Sequence, residues 1–406
     1  MTAVLSLGAA MARPAGLGAD RTIVTVFAGD PSSMAKKIVF GCLSVPGMGG
    51  TGTSSYKLFE RMQKDGLDVA YVNIIDEEDS DYFHFVFGEH WGNPKRLANV
   101  YNCVLSRPMF SPSPRHDEIV ELLRELGPDL LVGVGSGETL LMNAAAPGVP
   151  LIFFARGCHQ VGTLLARGKT PHFSALSGNF RPGVDPPAIV HRGEYDAVAR
   201  ADLIVTNSEM LQQLYAYFFP GQTGKLLSDV IWFAEWIYGE ALDHADLKRP
   251  FGAREIDVLF IANCWNRVEK NFLLVERLIA KNQGVRMHVV GDIDGEGPDA
   301  VYHGMLSDRE QLFRLMGNAK TVACPSLFDA APGILFEASA MGCNVVASKN
   351  CGNWQLCHPL LLVNPFDFGT FHDKLRLSLT RKFDDNIDFF LQQPSYQNFL
   401  NTLDVF

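Results

Sequence analysis

Two carboxylates, Asp329 and Glu337, stand eight positions apart on either side of a Pro332-Gly333 step. Proline is well tolerated in the first turn of a helix, so the step reads as a helix start, with free N–H groups and the positive dipole end between the acids. Donors of that kind hold a phosphate or sugar hydroxyls, and a carboxylate one turn into the helix accepts two bonds from a ribose diol. The plainer reading has Asp329 capping the helix and Glu337 on a solvated face, and spacing alone favours it. Upstream, Arg267 and Lys270 are three apart, before or on the first turn of another helix. Basic residues there oppose the dipole, a cost that a bound anion offsets; surface solubility explains them equally well. His159 follows a strand over 149–155, where it either serves a bound substrate or is a buried structural histidine.

Three glycine turns accompany these residues. GMGGTG (Gly47, Gly49, Gly52) is a literal GxGxxG after a strand, a weak dinucleotide signal by itself. Its backbone, with Gly50, lets a phosphate or sugar come close. The acid expected after the second strand is blurred by the run Asp76-Glu77-Glu78-Asp79, which reads as a solvated loop. GVGSGE (Gly133 to Glu138) is either a ligand-facing turn or a plain tight one. GDIDGEG contains Asp292-Ile293-Asp294, a DxD that elsewhere holds a divalent ion on phosphates. In this Gly-rich turn it is read as a loop, so no metal site is assigned.

Regular elements must position these residues. Thr321 to Cys324 predicts a buried strand, Pro332 to about Gly342 a helix, and Asn344 to Ser348 the next strand, which is the unit of a parallel α/β sheet. Lys37 to Val45 and Leu67 to Ile75 predict strands around a helix starting near Thr53 or Ser54. A helix over Asp117 to Leu126 leads to a strand over Asp129 to Val134. A strand over Leu203 to Thr206 precedes a helix capped by Ser208, and Val230 to Phe233 closes this half. Residues 82–115 predict a long irregular connection. Val258 to Ala262, Arg286 to Val290 and Leu361 to Val363 predict further strands, and Phe371 to Phe406 two or three amphipathic helices.

The plan is therefore an α/β sheet domain over 36–236, a hinge over 237–254, a second such domain over 255–368, and terminal helices over 369–406. A cleft between two α/β domains is the default ligand site. Residues 1–35 read as a disordered leader or a mis-assigned start, with Met34 as the true beginning. The 406 residues are enough for two domains, 47% of them hydrophobic and 20% charged. A net charge of -10 and a pI near 5.6 argue against a general nucleic-acid binder and weaken a basic face for anionic membrane. No apolar run approaches the ~20 residues a membrane helix needs. The eight cysteines include no CxxC and read as free thiols of a reducing compartment, which places the protein in the cytoplasm.

The motifs in this order resemble the GT-B glycosyltransferases, in particular the retaining group with an E-x7-E motif (glycosyltransferase family 4-like, glycosyl transferases group 1). The resemblance is strongest from Val258 to Gly352, through NRVEKN, GDIDG, YHGMLSDREQLFRLMGNA, CPSLFDAAPGILFEASAMGCNVVAS and NCG, and covers most of residues 37–365. It implies two Rossmann-like domains facing a cleft, with C-terminal helices crossing back to the first. It implies an enzyme that moves a sugar, of the hexosyltransferase type, from a nucleotide-sugar donor to an acceptor with retention, without a metal or other cofactor. Arg267 and Lys270 stand where the family neutralises the donor diphosphate, and Glu337 where it holds the ribose. Asp329 stands at the first motif acid, near the donor sugar. The backbone of Gly333, Ile334 and Leu335 faces the phosphate or sugar. Gly49, Gly50 and Gly52 match the first-domain loop, and His159 the first-domain histidine near the donor sugar. The chain departs from the pattern in having Asp at the first motif acid and Gln355 where many relatives carry an acid. Two alternatives stay open: an inactive relative that binds a nucleotide sugar, and a nicotinamide-dependent oxidoreductase using GMGGTG. The implied partners are a donor and an acceptor, not nucleic acid, with peripheral membrane contact left open.

Overall fold

A computed structural model describes residues 36–43, 49–76, 99–107, 116–167, 191–227, 233–293, 299–306, 308–392, 395–403 and 406. The central strands IVFGC, LLVGV, LIFFA and NVVAS are buried at every position. Continuous aliphatic burial of this kind belongs to parallel sheets covered by helices on both faces.

The first sheet is built in the order β1 (Ile38–Cys42), α1 (Gly49–Lys64), β2 (Val69–Asp76), β3 (Val100–Leu105), α2 (Asp117–Leu126), β4 (Leu130–Val134), α3 (Ser136–Ala145), β5 (Leu151–Ala155), α4 (His159–Ala166), α5 (Arg192–Arg200), β6 (Leu203–Thr206), α6 (Glu209–Phe218) and β7 (Leu226–Leu227). Its seven strands lie in the order β3-β2-β1-β4-β5-β6-β7, all parallel. Helix α7 (Phe233–Leu242) follows. The second sheet comprises β8 (Ile256–Cys264), α8 (Phe272–Lys281), β9 (Met287–Asp292), β10 (Val301–Tyr302), α9 (Arg309–Gly317), β11 (Ala319–Cys324), α10 (Ile334–Ala340), β12 (Asn344–Ser348) and β13 (Leu362–Val363). Its order is β10-β9-β8-β11-β12-β13, also parallel. Helices α11 (Phe368–Ser378), α12 (Ile387–Leu391) and α13 (Ser395–Leu403) end the chain.

Both sheets follow one plan. Strand order runs outward one way from β1 and the other way from β4, and likewise from β8 and β11. Each sheet therefore has a switch point where the loops leaving two neighbouring strands diverge and open a crevice. The two Rossmann-like sheets expected from sequence are present, and helix α2 and strands β6 and β12 fall on their expected residues. Ser208 caps α6 by accepting from Leu211 N–H at 3.2 Å. Gly342 ends the turn after α10 at φ +71°, the left-handed geometry expected of it.

Four expectations are corrected. Residues 100–105 are an edge strand on β2, not irregular chain. Helix α1 opens at Gly49, not near Thr53, so Gly49, Gly50 and Gly52 form its first turn rather than a loop. GVGSGE is not a separate turn: Gly133 and Val134 end β4, and Ser136 to Glu138 open α3, with Gly135 between them. Phe233, placed at the end of a strand, begins α7, which takes in 237–242 of the segment read as a hinge. Gly47, Glu77 to Asp79, Asp294, Val230 to Trp232, and residues 1–35, 82–98 and 108–115 lie outside the described residues.

The terminal helices pack on both sheets' layers. Phe399 of α13 stacks on Phe154 of β5 with centroids 6.3 Å apart, and Tyr396 donates to Asp65 at 2.8 Å, just beyond α1. Phe390 of α12 meets Phe336 of α10 edge-on at 5.1 Å. All eight cysteines are free thiols. Among the described residues, no helix is long and apolar enough to cross a membrane.

Candidate active site

The loops at the second switch point bring two of the candidates, Lys270 and Asp329, together. After β8 the chain makes a short 3-10 turn, Val268–Lys270, and Asn271 then adopts the left-handed region at φ 59° before α8. The Asn271 side-chain amide donates to the carbonyls of Pro325 (3.0 Å) and Pro365 (3.2 Å). One amide thus ties together the loops that follow β8, β11 and β13. In that frame Lys270 Nζ reaches Asp329 Oδ2 at 2.6 Å, with each side chain less than a fifth exposed. Burial works against the lysine's charge, but Asp329 outweighs it and Lys270 titrates above the ordinary lysine range. Asp329 is therefore not a helix cap. It forms a parallel bridge with Cys351; its N–H donates to Asn350 C=O (3.1 Å), and its C=O accepts from Gly352 N–H (2.9 Å).

Gly352 has no room for a side chain. A Cβ there would lie 1.6 Å from the Ala330 carbonyl oxygen and 2.4 Å from Ser208 Oγ. The same Ser208 hydroxyl donates to Ala330 C=O at 2.7 Å. The cap of α6, beside the first sheet, is thus bonded directly to the segment carrying Asp329. Arg267 is exposed and donates from Nε to Glu269 at 2.8 Å. Leu335 N–H turns back onto the Pro332 carbonyl (3.3 Å), and Phe336 and Glu337 N–H onto that of Gly333. This sets Gly333 and Ile334 at the opening of α10.

Glu337 is not on a solvated face; it is 7% exposed. Its Oε1 accepts from Arg309 Nη2 at 2.7 Å, and Arg309 Nε donates to Glu240 at 3.2 Å. Glu240 also pairs with Lys57. Burial raises the Glu240 pKa, but Lys57 and Arg309 more than offset this and hold the carboxyl below its usual range. These four residues come from α1, α7, α9 and α10. Sequence reasoning missed Lys57, Glu240 and Arg309, because partners 183 and 69 positions apart leave no local pattern.

At the C-terminal edge of the first sheet, His159 is the first residue of α4, which opens after a short turn beyond β5. Its backbone N–H and that of Gln160 both donate to the buried Glu194 carboxylate at 2.8 Å, and Tyr215 OH donates to the same group at 2.7 Å. The His159 ring stacks on His191 with centroids 4.8 Å apart. Desolvation and the nearby Arg267 charge hold the His159 pKa below the ordinary histidine range, so at neutral pH it is an uncharged donor and acceptor. At the first switch point Glu138 is buried and accepts from Leu43 N–H at 3.1 Å; burial lifts its pKa to about 7. Sequence reasoning saw Glu138 only as the end of a turn. Of the GDIDGEG turn, Asp292 is exposed at the end of β9.

Two parallel sheets of 3-2-1-4-5-6 type, with polar groups gathered where both switch points open, match solved structures over most of the chain. Anabaena HepE, solved in complex with UDP and glucose, aligns with a TM-score of 0.58 at 14% identity, covering 91% of this chain and 100% of its own. The sucrose-phosphate synthase of Thermosynechococcus elongatus aligns with 0.55 at 15% identity, over 90% and 99%. WaaG, a glycosyltransferase involved in lipopolysaccharide biosynthesis, aligns with 0.52 at 12% identity, over 91% and 99%. The chain has the GT-B fold. No family model and no curated protein matches it by sequence. Within this GT-B fold, Arg267, Lys270, Asp329 and Glu337 belong to loops and helices following β8 and β11, while His159 follows β5. Gly49, Gly50 and Gly52 open α1, the helix that follows β1.

Proposed function

We propose that this protein is a glycosyltransferase of the hexosyltransferase type, which moves a sugar from a nucleotide-sugar donor to an acceptor with retention at the anomeric carbon. The observation that carries the reading is the Lys270–Asp329 pair beside the opening of α10, with Glu337 one turn further in. As the donor bond breaks, negative charge grows on the departing diphosphate, and fixed cations there stabilise the transition state. Lys270 uses one of its three donors on Asp329 and can direct the others to phosphate; Arg267, at the surface, supplies a second cation. Asp329 then lies where it can accept from sugar hydroxyls, with uncharged His159 as a further partner, and Glu337 accepts from the ribose. The acceptor oxygen forms its bond to the anomeric carbon on the face the diphosphate leaves. Its proton passes to a leaving-group phosphate oxygen, so no protein base is required. Charge neutralisation by two side chains makes a metal unnecessary in this scheme.

Structural neighbours solved with UDP or UDP-glucose make a UDP-hexose the first donor to test. Thermal shifts with UDP, GDP, ADP and their sugar conjugates, and with NAD(H), test the reading on wild type and Lys270→Ala. A ligand at a hundredfold its dissociation constant adds about 2.7 kcal/mol. Stabilisation by one nucleoside diphosphate, largely lost in Lys270→Ala, is the expected result. Stabilisation by NAD(H) alone would overturn the reading. Binding of a nucleotide sugar without turnover over a broad acceptor panel would show an inactive binder instead.

A further inference from the structure

We infer that Arg309, held by Glu240 and Lys57, is a positioning residue that sets Glu337 to recognise the ribose diol of the donor; this rests on the nucleotide-sugar reading above. A carboxylate as buried as Glu337 needs a partner that offsets its lost hydration and fixes its rotamer. Arg309 does both. Its guanidinium stays charged at any working pH, and its single bond to Oε1 leaves acceptor capacity on the Glu337 carboxylate. The guanidinium is itself fixed twice over. Glu240 takes its Nε, and the group lies over the Phe313 ring at 4.7 Å. Glu240 is shared with Lys57 of α1, the helix that opens at Gly49. Charges therefore alternate from a helix of the first sheet to the acid on α10: Lys57, Glu240, Arg309, Glu337. A surface pair contributes little, because solvent and side-chain motion compete with it. A partly buried row in which each member fixes the next holds a geometry that its end member needs.

The readout that separates positioning from general structural support is discrimination between ribose and deoxyribose. Dissociation constants are measured by calorimetry for UDP against 2′-deoxy-UDP, with the GDP and ADP pairs run alongside. A hydroxyl bonded to a carboxylate makes wild type prefer the ribonucleotide by about tenfold or more. Arg309→Met brings that ratio near one while diphosphate binding through Lys270 persists, and Arg309→Lys recovers part of the preference. Glu240→Gln, which bears on Glu337 through Arg309, lowers the ratio to an intermediate value and carries the test if Arg309→Met does not fold. Equal weakening of both sugars, with the ratio unchanged, would overturn the inference. So would a wild type that binds both sugars equally, although nucleotide binding would then still stand. A wild type that binds no nucleotide at all would remove the nucleotide-sugar reading and this inference with it.

Discussion

Removing Lys270 and Asp329 separately and together should have opposite consequences for ligand binding and parallel ones for stability. The pair is 2.6 Å long and each side chain is less than a fifth exposed. Breaking a fully buried pair by deleting one partner costs about 3–5 kcal/mol, because a charge is left uncompensated. Both groups here keep some contact with solvent, so each alanine variant should lose about 2 kcal/mol in a urea melt. The double variant should lose clearly less than the sum, since no orphan charge remains. Ligand binding separates the roles. Under the proposed function, deleting Lys270 removes a charge-assisted contact to phosphate of about 1.5–3 kcal/mol, or roughly 10- to 150-fold in the dissociation constant for a nucleoside diphosphate. Deleting Asp329 removes an anion beside the phosphate and frees the lysine, so Asp329→Ala should bind the diphosphate as tightly as wild type or more tightly, while sugar transfer falls. Calorimetric titration of the three variants decides the matter. If Asp329→Ala weakened the diphosphate as much as Lys270→Ala, the pair would be scaffolding and the charge argument would be wrong.

Three further perturbations follow from the geometry. Glu138 holds its proton up to about pH 7 in the folded chain, against 4.5 ordinarily, so the folded state binds more protons between those values and stability falls as pH rises through that window. The total is about 3 kcal/mol; Glu138→Gln, which keeps an acceptor for Leu43 N–H, should flatten that fall in melts taken from pH 4.5 to 8. Gly352→Ala would drive a methyl into the Ala330 carbonyl, so it should destabilise by about 1–3 kcal/mol or more in denaturant unfolding. Ser208→Ala removes a helix cap and the bond to Ala330 at once, and a loss of about 1–2 kcal/mol is expected by the same measurement; an unchanged midpoint would contradict that.

Much of the architecture was legible because each buried strand is a short aliphatic run closed by a glycine or polar turn. NVVAS and LIVT admit no other reading, and DEIVELLREL carries a clean helical period into Gly127. What escaped had weaker local signals. VYNCVL is an edge strand with Tyr101 and Asn102 among its aliphatics, so its alternation is blurred, and among the described strands it pairs with β2 alone. FAEWIYGEAL is apolar almost all round, and its glycine and short span made it look like the end of a strand running into a linker. At the candidate site, Lys270 follows β8 while Asp329 and Glu337 follow its neighbour β11, a placement that the strand order implies. That Lys270 and Asp329 touch, and that Glu337 answers to Arg309, are facts of tertiary placement. The four-residue charge row draws on four helices, and no window of sequence contains it.

Asn271 points to a division of labour that bears on how such a site could change. Its amide fastens three loops through main-chain carbonyls, which every residue type provides. The loops are therefore anchored by a residue that need not touch any ligand, and anchored to atoms that substitution does not alter. Side chains at neighbouring positions on those loops are at liberty to vary without the loops losing their place. A lineage carrying this frame could change what these loops bind by single exchanges, each tried on an intact scaffold. Loss of Asn271 itself would remove that latitude for every position at once.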